Sequence, residues 1–213
     1  ADSYAGQIPT ILKINSSNSL SSIKNQSING SIKEALRLGC SAVGFTIYPG
    51  SEYQYDMIEE FKELSCEASS LGLPSVLWSY PRGPNISKVA ETSIDTISYA
   101  AHMAALLGAH IIKVKPPTEI INDEGLKKNY SIYDINLSSL TDRIRHIKKC
   151  AFNSRKIVVF SGGNAKTENE MLAEIEHIKK GGGNGSIIGR NTFQRPREEA
   201  LKLLENIIKI YKH

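Results

Sequence analysis

Residues 108–117 read GAHIIKVKPP, and the fold turns on how this stretch is taken. Gly108 stops an amphipathic segment, an apolar run follows from His110, and Pro116 and Pro117 end it. A short continuous apolar run bounded by such breakers reads as a strand covered on both faces, the kind that parallel sheets are made of. Lys113 and Lys115 interrupt the run two residues apart, so both leave the strand on the same face. Strand lysines usually sit on an edge or reach along the surface to solvent. Here Ile111, Ile112 and Val114 surround the pair, and that escape is less available.

Working outward, the same pattern recurs. Short β-branched runs appear as ILKIN from Ile11, AVGFTIY from Ala42, SVLWSY from Ser75, HIIKVK from His110, KIVVFSGG from Lys156 and GSIIG from Gly185. Amphipathic segments lie between them. Ile32, Ala35 and Leu36 mark one that stops at Gly39. Met57, Ile58, Phe61, Leu64 and Ala68 mark a second, stopped by Gly72. Ile94, Ile97, Ala101, Ala104 and Leu107 mark a third, stopped by Gly108. Glycine just past the last turn is the expected helix stop. Thr167 with Glu170 has the spacing of a capping box before a helix carrying Met171, Leu172, Ile175 and Ile178. A closing helix carries Leu201, Leu204, Ile207, Ile208 and Tyr211.

Strand and helix alternate about every thirty residues, the unit of a (β/α)₈ barrel, which needs about 250 residues for eight units. An open doubly wound sheet would call for a G-x-G-x-x-G turn opening a helix after a strand, and none is found. Polar residues gather at the C-terminal ends of at least four strands, which also favours a barrel. Six strands do not close one and would leave two long edges exposed. The expectation is therefore an α/β chain forming one barrel domain over residues 1–213, with about two N-terminal strands absent. The polar opening ADSYAGQIPT reads as the middle of a loop.

Composition narrows the function. The chain has 213 residues, 23% charged and 40% hydrophobic, with a net charge of +4. No apolar run reaches the roughly 18–20 residues of a membrane span, and no basic stretch with interleaved aromatics suggests nucleic acid. Cys40, Cys66 and Cys150 are scattered and odd in number, which suits neither a disulfide framework nor a metal site and points to a reducing cytoplasm. The five histidines show no metal-ligand spacing.

The chemistry of the lysine pair then becomes legible. An amine of ordinary pKa near 10.4 is almost wholly protonated at pH 7 and is no nucleophile. Burial or a neighbouring cation favours the neutral form, which is how a lysine is prepared for Schiff-base formation with a carbonyl. One of the pair would attack, and the other would depress its pKa or bind an anionic substrate. VLWSYPRG, Val76 to Gly83, ends the preceding strand with an indole, a phenol and a guanidinium. Trp78 and Tyr80 suit a core as well as a site. A phenol beside an iminium could nevertheless move protons. SGGN, Ser161 to Asn164, and GRN, Gly189 to Asn191, end the last two strands, where barrels commonly bind phosphate. Glycines allow close backbone approach, helix N-termini face the anion, and Arg190 adds charge. The combination reads as a Schiff-base enzyme acting on a phosphorylated carbonyl compound.

AVGFTIYPGSE, VLWSYPRG, IIKVK, VVFSGG and IIGRNTFQRP together resemble, in order and spacing, the class I fructose-bisphosphate aldolases of the archaeal/bacterial type, relatives of deoxyribose-phosphate aldolase. The resemblance runs from about Ile8 to the C-terminus. It implies a (β/α)₈ barrel, no cofactor or metal, and reversible cleavage of fructose 1,6-bisphosphate to dihydroxyacetone phosphate and glyceraldehyde 3-phosphate, a step of glycolysis and gluconeogenesis. It places the Schiff-base lysine at Lys113 and proton transfer at Tyr80, with Trp78 lining the site. Ser161, Gly162, Gly163, Gly189 and Arg190 hold the dihydroxyacetone phosphate moiety, Arg82 meets the other phosphate, and Lys115 is the electrostatic neighbour. The family tends to form large homo-oligomers. Its catalytic aspartate belongs to an Asp-His-Gly stretch ending the first strand, and no such stretch occurs here, in keeping with the absent strands. The segment from Pro116 to Arg155 exceeds a usual strand–helix connection and is either a lid or oligomer contact or a disordered insertion. Related Schiff-base barrels acting on other phosphorylated carbonyls, and a non-catalytic phosphosugar-binding barrel, remain open alternatives.

Overall fold

Six parallel strands form the central sheet of the computed structural model, which describes residues 6–163 and 166–212. They are β1 (Ile11–Lys13), β4 (Ala42–Ile47), β5 (Ser75–Ser79), β6 (Ile111–Val114), β7 (Ile157–Ser161) and β8 (Gly185–Ile187), adjacent in that order. Every pairing is parallel, so all six C-terminal ends lie at one end of the sheet. This is the partial (β/α)₈ barrel expected from the strand–helix rhythm. The helices are α1 (Ile32–Arg37), α2 (Gln54–Ser70), α3 (Ile94–Leu106), α4 (Glu124–Ile132), α5 (Leu140–Cys150), α6 (Glu168–Lys180), α7 (Arg190–Phe193) and α8 (Arg197–Lys212).

The strands are apolar because their outer face is covered. Phe45, Ile47, Leu77, Ile112, Val114, Val158 and Phe160 are buried against Phe61 of α2, Ile97 and Ala101 of α3 and Ile144 and Ile147 of α5. Phe45 and Phe61 meet with ring centroids 5.7 Å apart. With the outer face fixed, the two-residue period turns 44, 46, 78, 113, 115, 159 and 161 to the other face. Gly108, at φ +92, makes the turn from α3 toward β6 with no Cβ to strain. A second cluster of Met171, Ile175, Leu203 and Ile207 joins α6 to α8. Along α8 the inward stripe is thus Leu203 and Ile207, while Leu201, Leu204 and Ile208 of the expected set are exposed.

The segment 116–155 is not a structureless insertion. It holds α4 and α5, and its start is pinned by Asp95, whose carboxylate accepts from Asn122 N (3.1 Å) and Asp123 N (2.9 Å). Leu140, Ile144 and Ile147, with Ser139 accepting from Asp142 N, were a readable helix signal. A small hairpin of β2 (Asn15–Ser16) and β3 (Ser27–Ile28) also follows β1.

The capping box expected at α6 is present, with Thr167 accepting from Glu170 N and the Glu170 carboxylate accepting from Thr167 N. Thr167→Ala is expected to lower stability by about 1 kcal/mol, read as a shift of the urea midpoint at constant m-value. An unchanged midpoint would mean that the cap contributes nothing.

Candidate active site

The C-terminal strand ends surround a pocket of about 680 Å³ lined by Tyr80, Arg82, Lys115, Ser161, Gly163 and Arg190 among others. Lys113 and Trp78 lie one layer below, two residues before Lys115 and Tyr80 on β6 and on the end of β5. Register sets them side by side, since Trp78 pairs with Lys113 across the β5–β6 ladder.

Lys113 is 8% exposed. Its Nζ stands 5.5 Å from the Trp78 ring centre and 5.9 Å from that of Tyr80. Among the described residues it has no hydrogen-bond or ion-pair partner. Burial alone lowers its pKa to about 8. At that value roughly a tenth of the amine is neutral at pH 7, against less than about one part in a thousand for an ordinary lysine.

Lys115 has a partner that the sequence did not suggest. It donates to Glu91 Oε2 at 2.7 Å, and Glu91 also pairs with Lys88 at 2.7 Å. Burial raises the Glu91 pKa, but the bonds and charges of Lys115 and Lys88 outweigh it and hold the carboxylate ionised. Burial is what lowers the Lys113 pKa, and Lys115 sits in an ion pair whose single carboxylate it shares with Lys88.

The Tyr80 phenol is pushed well up by burial, against a hydrogen bond with Ser161 and the charge of Arg82. It stays protonated at neutral pH. Arg82 lies over Tyr48, its Cζ 5.0 Å from the ring centre, and donates to Tyr48 Oη at 3.4 Å; its buried Nε has no hydrogen-bond partner among the described residues.

Ser161, Gly162 and Gly163 end β7 opposite Gly189 and Arg190, and Arg190 donates to Gly163 O at 3.5 Å. Asn164, the last residue of that motif, lies outside the described residues. Asn191, not singled out from sequence, ties the two turns: its Nδ2 donates to Gly162 O (3.2 Å) and its Oδ1 accepts from Lys166 N (2.8 Å). The first turn of α6 is closed by its own capping box, and α7 has only 4 residues. Anion binding here would rest on the glycine backbone, Ser161 and Arg190.

Sequence reasoning missed Lys13. It is at the end of β1, burial lowers its pKa to about 8, and its Nζ stands 6.0 Å from the Trp78 ring centre. The ILKIN motif contained it, but only the register with β4 shows that it faces the site.

If Lys113 must be neutral to react, imine formation should follow its titration. Borohydride trapping of a carbonyl substrate is expected to rise roughly fivefold from pH 7 to 8 and less than about twofold from pH 8 to 9. A rise that continued to pH 10 would indicate an ordinary lysine.

A family model described as DeoC/LacD family aldolase matches residues 1–195. The class 1 fructose-bisphosphate aldolase of Thermoproteus tenax is 36% identical over 201 residues, covering 93% of this chain and 66% of that protein. A fructose-bisphosphate aldolase/6-deoxy-5-ketofructose 1-phosphate synthase of Methanocaldococcus jannaschii is 31% identical over 213 residues, covering 96% and 62%. A solved archaeal fructose-1,6-bisphosphate aldolase, whose catalytic lysine is covalently bound to the carbinolamine intermediate of the substrate, superposes with a TM-score of 0.81. It is 32% identical and is matched over 100% of this chain and 74% of its own. The chain thus spans 66% and 62% of the lengths of those two curated relatives.

Proposed function

This chain belongs to the DeoC/LacD family of aldolases, and from that premise we propose that it cleaves fructose 1,6-bisphosphate reversibly, by a lysine Schiff base, within a single (β/α)₈ barrel domain. The observation that carries the reading is the Lys113 amine, buried, enclosed by Trp78 and Tyr80 and without a hydrogen-bond or ion-pair partner among the described residues. A lysine placed there only to bind phosphate would face the pocket and remain charged. The relatives' names support the substrate, and the setting would be a reducing cytoplasm, with the homo-oligomer that the resemblance implies.

Neutral Lys113 adds to the C2 ketone, and its proton moves to oxygen to give a carbinolamine. Tyr80 gives its phenolic proton to the departing hydroxyl, water leaves, and a protonated imine remains. The C3–C4 bond then breaks with its electron pair flowing into the iminium. The C4 hydroxyl returns a proton to the Tyr80 phenolate, and glyceraldehyde 3-phosphate leaves. Tyr80 protonates C3 of the enamine, and water then adds to the iminium, its released proton returning to the Tyr80 phenolate, so that dihydroxyacetone phosphate leaves and the neutral amine and the phenol are both restored. Ser161, the glycines at 162, 163 and 189, and Arg190 hold one phosphate, and Arg82 and Lys115 approach the other. Trp78 excludes water from the amine, which keeps its pKa low.

The test is release of both triose phosphates from fructose 1,6-bisphosphate by the full-length protein with chelator present, followed by coupled dehydrogenases. Turnover of other phosphorylated ketoses with none of the bisphosphate would favour a related Schiff-base aldolase. Binding of the sugar phosphate with no imine would favour the non-catalytic barrel.

A further inference from the structure

Lys13 and Gly44 take no part in the steps above, yet both adjoin the indole beside Lys113. Lys13 pairs with Gly44 across β1–β4, Thr46 with Trp78 across β4–β5, and Trp78 with Lys113 across β5–β6. Lys13 and Gly44 therefore share a level with Val76, while Thr46, Trp78 and Lys113 form the level two residues further along, and the bare Gly44 leaves a gap beneath the second level. The indole fills that gap. A Cβ on Gly44 would stand 2.4 Å from Trp78 Cζ3 and 2.6 Å from Cη2, which no real contact tolerates. Trp78 thus leans from β5 over β4 toward β1, where Lys13 Nζ is 6.0 Å from its ring centre.

The Lys13 amine is itself fixed. It donates to Asn15 O, to Asn15 Oδ1 (2.8 Å) and to Gln26 Oε1 (3.4 Å). With burial lowering its pKa to about 8, most of the amine is still the ammonium at pH 7, and its three N–H groups match these three acceptors. Asn15 is locked in turn: its Nδ2 donates to Thr46 O and its Oδ1 accepts from Thr46 N, both at 2.8 Å. Gln26 Nε2 donates to Tyr48 Oη at 2.6 Å. The β2–β3 hairpin therefore holds a cation in place against the ring.

We propose that Lys13 is a positioning residue, a fixed ammonium that holds Trp78 across the Gly44 gap and so sets the wall against which Lys113 forms its imine. Its donors are all engaged, so it does not touch the reacting atoms. Its kinetic consequence rests on the aldolase reading, and its effect on the ring does not. Ring placement governs how the amine meets the bound ketone, so the loss is expected in kcat rather than in KM.

Trp78 is the only tryptophan in the 213-residue chain, and the emission lost on Trp78→Phe identifies its share of the signal. In the full-length protein, Lys13→Met is expected to raise acrylamide quenching of that share at least about twofold, since the cation–π contact is gone. It should lower kcat at least about tenfold with KM within about twofold, and Lys13→Arg should recover kcat to within about threefold of wild type. Should Lys13→Met lose its far-UV circular dichroism, Lys13→Gln, which keeps N–H donors for the same acceptors, is read in the same way. Unchanged quenching, or altered quenching with normal kcat, overturns the proposal. Borohydride trapping of the wild type in parallel separates the failures: no wild-type adduct removes the aldolase reading and leaves the quenching comparison standing.

Discussion

Lys113→Met is expected to lower kcat for bisphosphate cleavage by at least about 10⁴-fold, because removing a covalent nucleophile removes the route and not a single contact along it. The same substitution should leave the fold intact or stabilise it. The amine is 8% exposed and has no hydrogen-bond or ion-pair partner among the described residues, so the native state bears the desolvation of a charge with only two aromatic faces to offset it. Methionine has similar length and no charge. A thermal midpoint at or above wild type alongside lost turnover would show a side chain kept for chemistry at the expense of stability. Substantial remaining turnover would remove Lys113 from the role. Lys115→Met provides the contrast. It frees Glu91 of one partner at the pocket wall, and imine formation should persist.

Tyr80→Phe is expected to lower kcat by about 10²–10⁴-fold, the range for losing a positioned general acid–base group. Burial holds its phenol protonated through the working pH range, so the variant loses a proton donor without changing the charge of the site. Because Lys113 remains, the imine should still be trappable but should form more slowly. The sign of the pH effect follows from the groups involved. Below about pH 8 the Lys113 amine is protonated and activity falls, and Tyr80 adds no second limb there. If Tyr80→Phe kept wild-type kcat, proton transfer would belong to another group. If it abolished imine formation altogether, the phenol would be acting on the first addition and not on the later proton steps.

Much of this arrangement is legible in local spacing. The six strands are continuous apolar runs, glycine follows α1, α2 and α3, and the lysine pair with SGGN and GRN marks the strand ends. Local spacing fails where a partner is distant in sequence. Nothing near Lys115 indicates that Glu91, 24 residues earlier, pairs with it. Nothing in ILKIN indicates that Lys13 meets Trp78, because that contact depends on Gly44 being bare and on two strand registers. Asn191 is similar, a residue inside a quoted motif whose value lies in joining two turns. The short β2 and β3, each 2 residues long, have no periodicity to detect. The miss at α5 was different in kind, since its cap and its Leu140–Ile144–Ile147 spacing were present in the sequence.

The most direct measurement is covalent. Full-length protein is incubated with dihydroxyacetone phosphate and chelator, reduced with borohydride, digested, and the adduct localised by fragment-ion mass spectrometry that resolves Lys113 from Lys115. The expected result is an adduct on Lys113, lost in Lys113→Met and retained in Tyr80→Phe. An adduct on Lys115 or Lys13, or none in folded protein with the ligand bound, would contradict the assignment of the Schiff base to the buried amine between Trp78 and Tyr80.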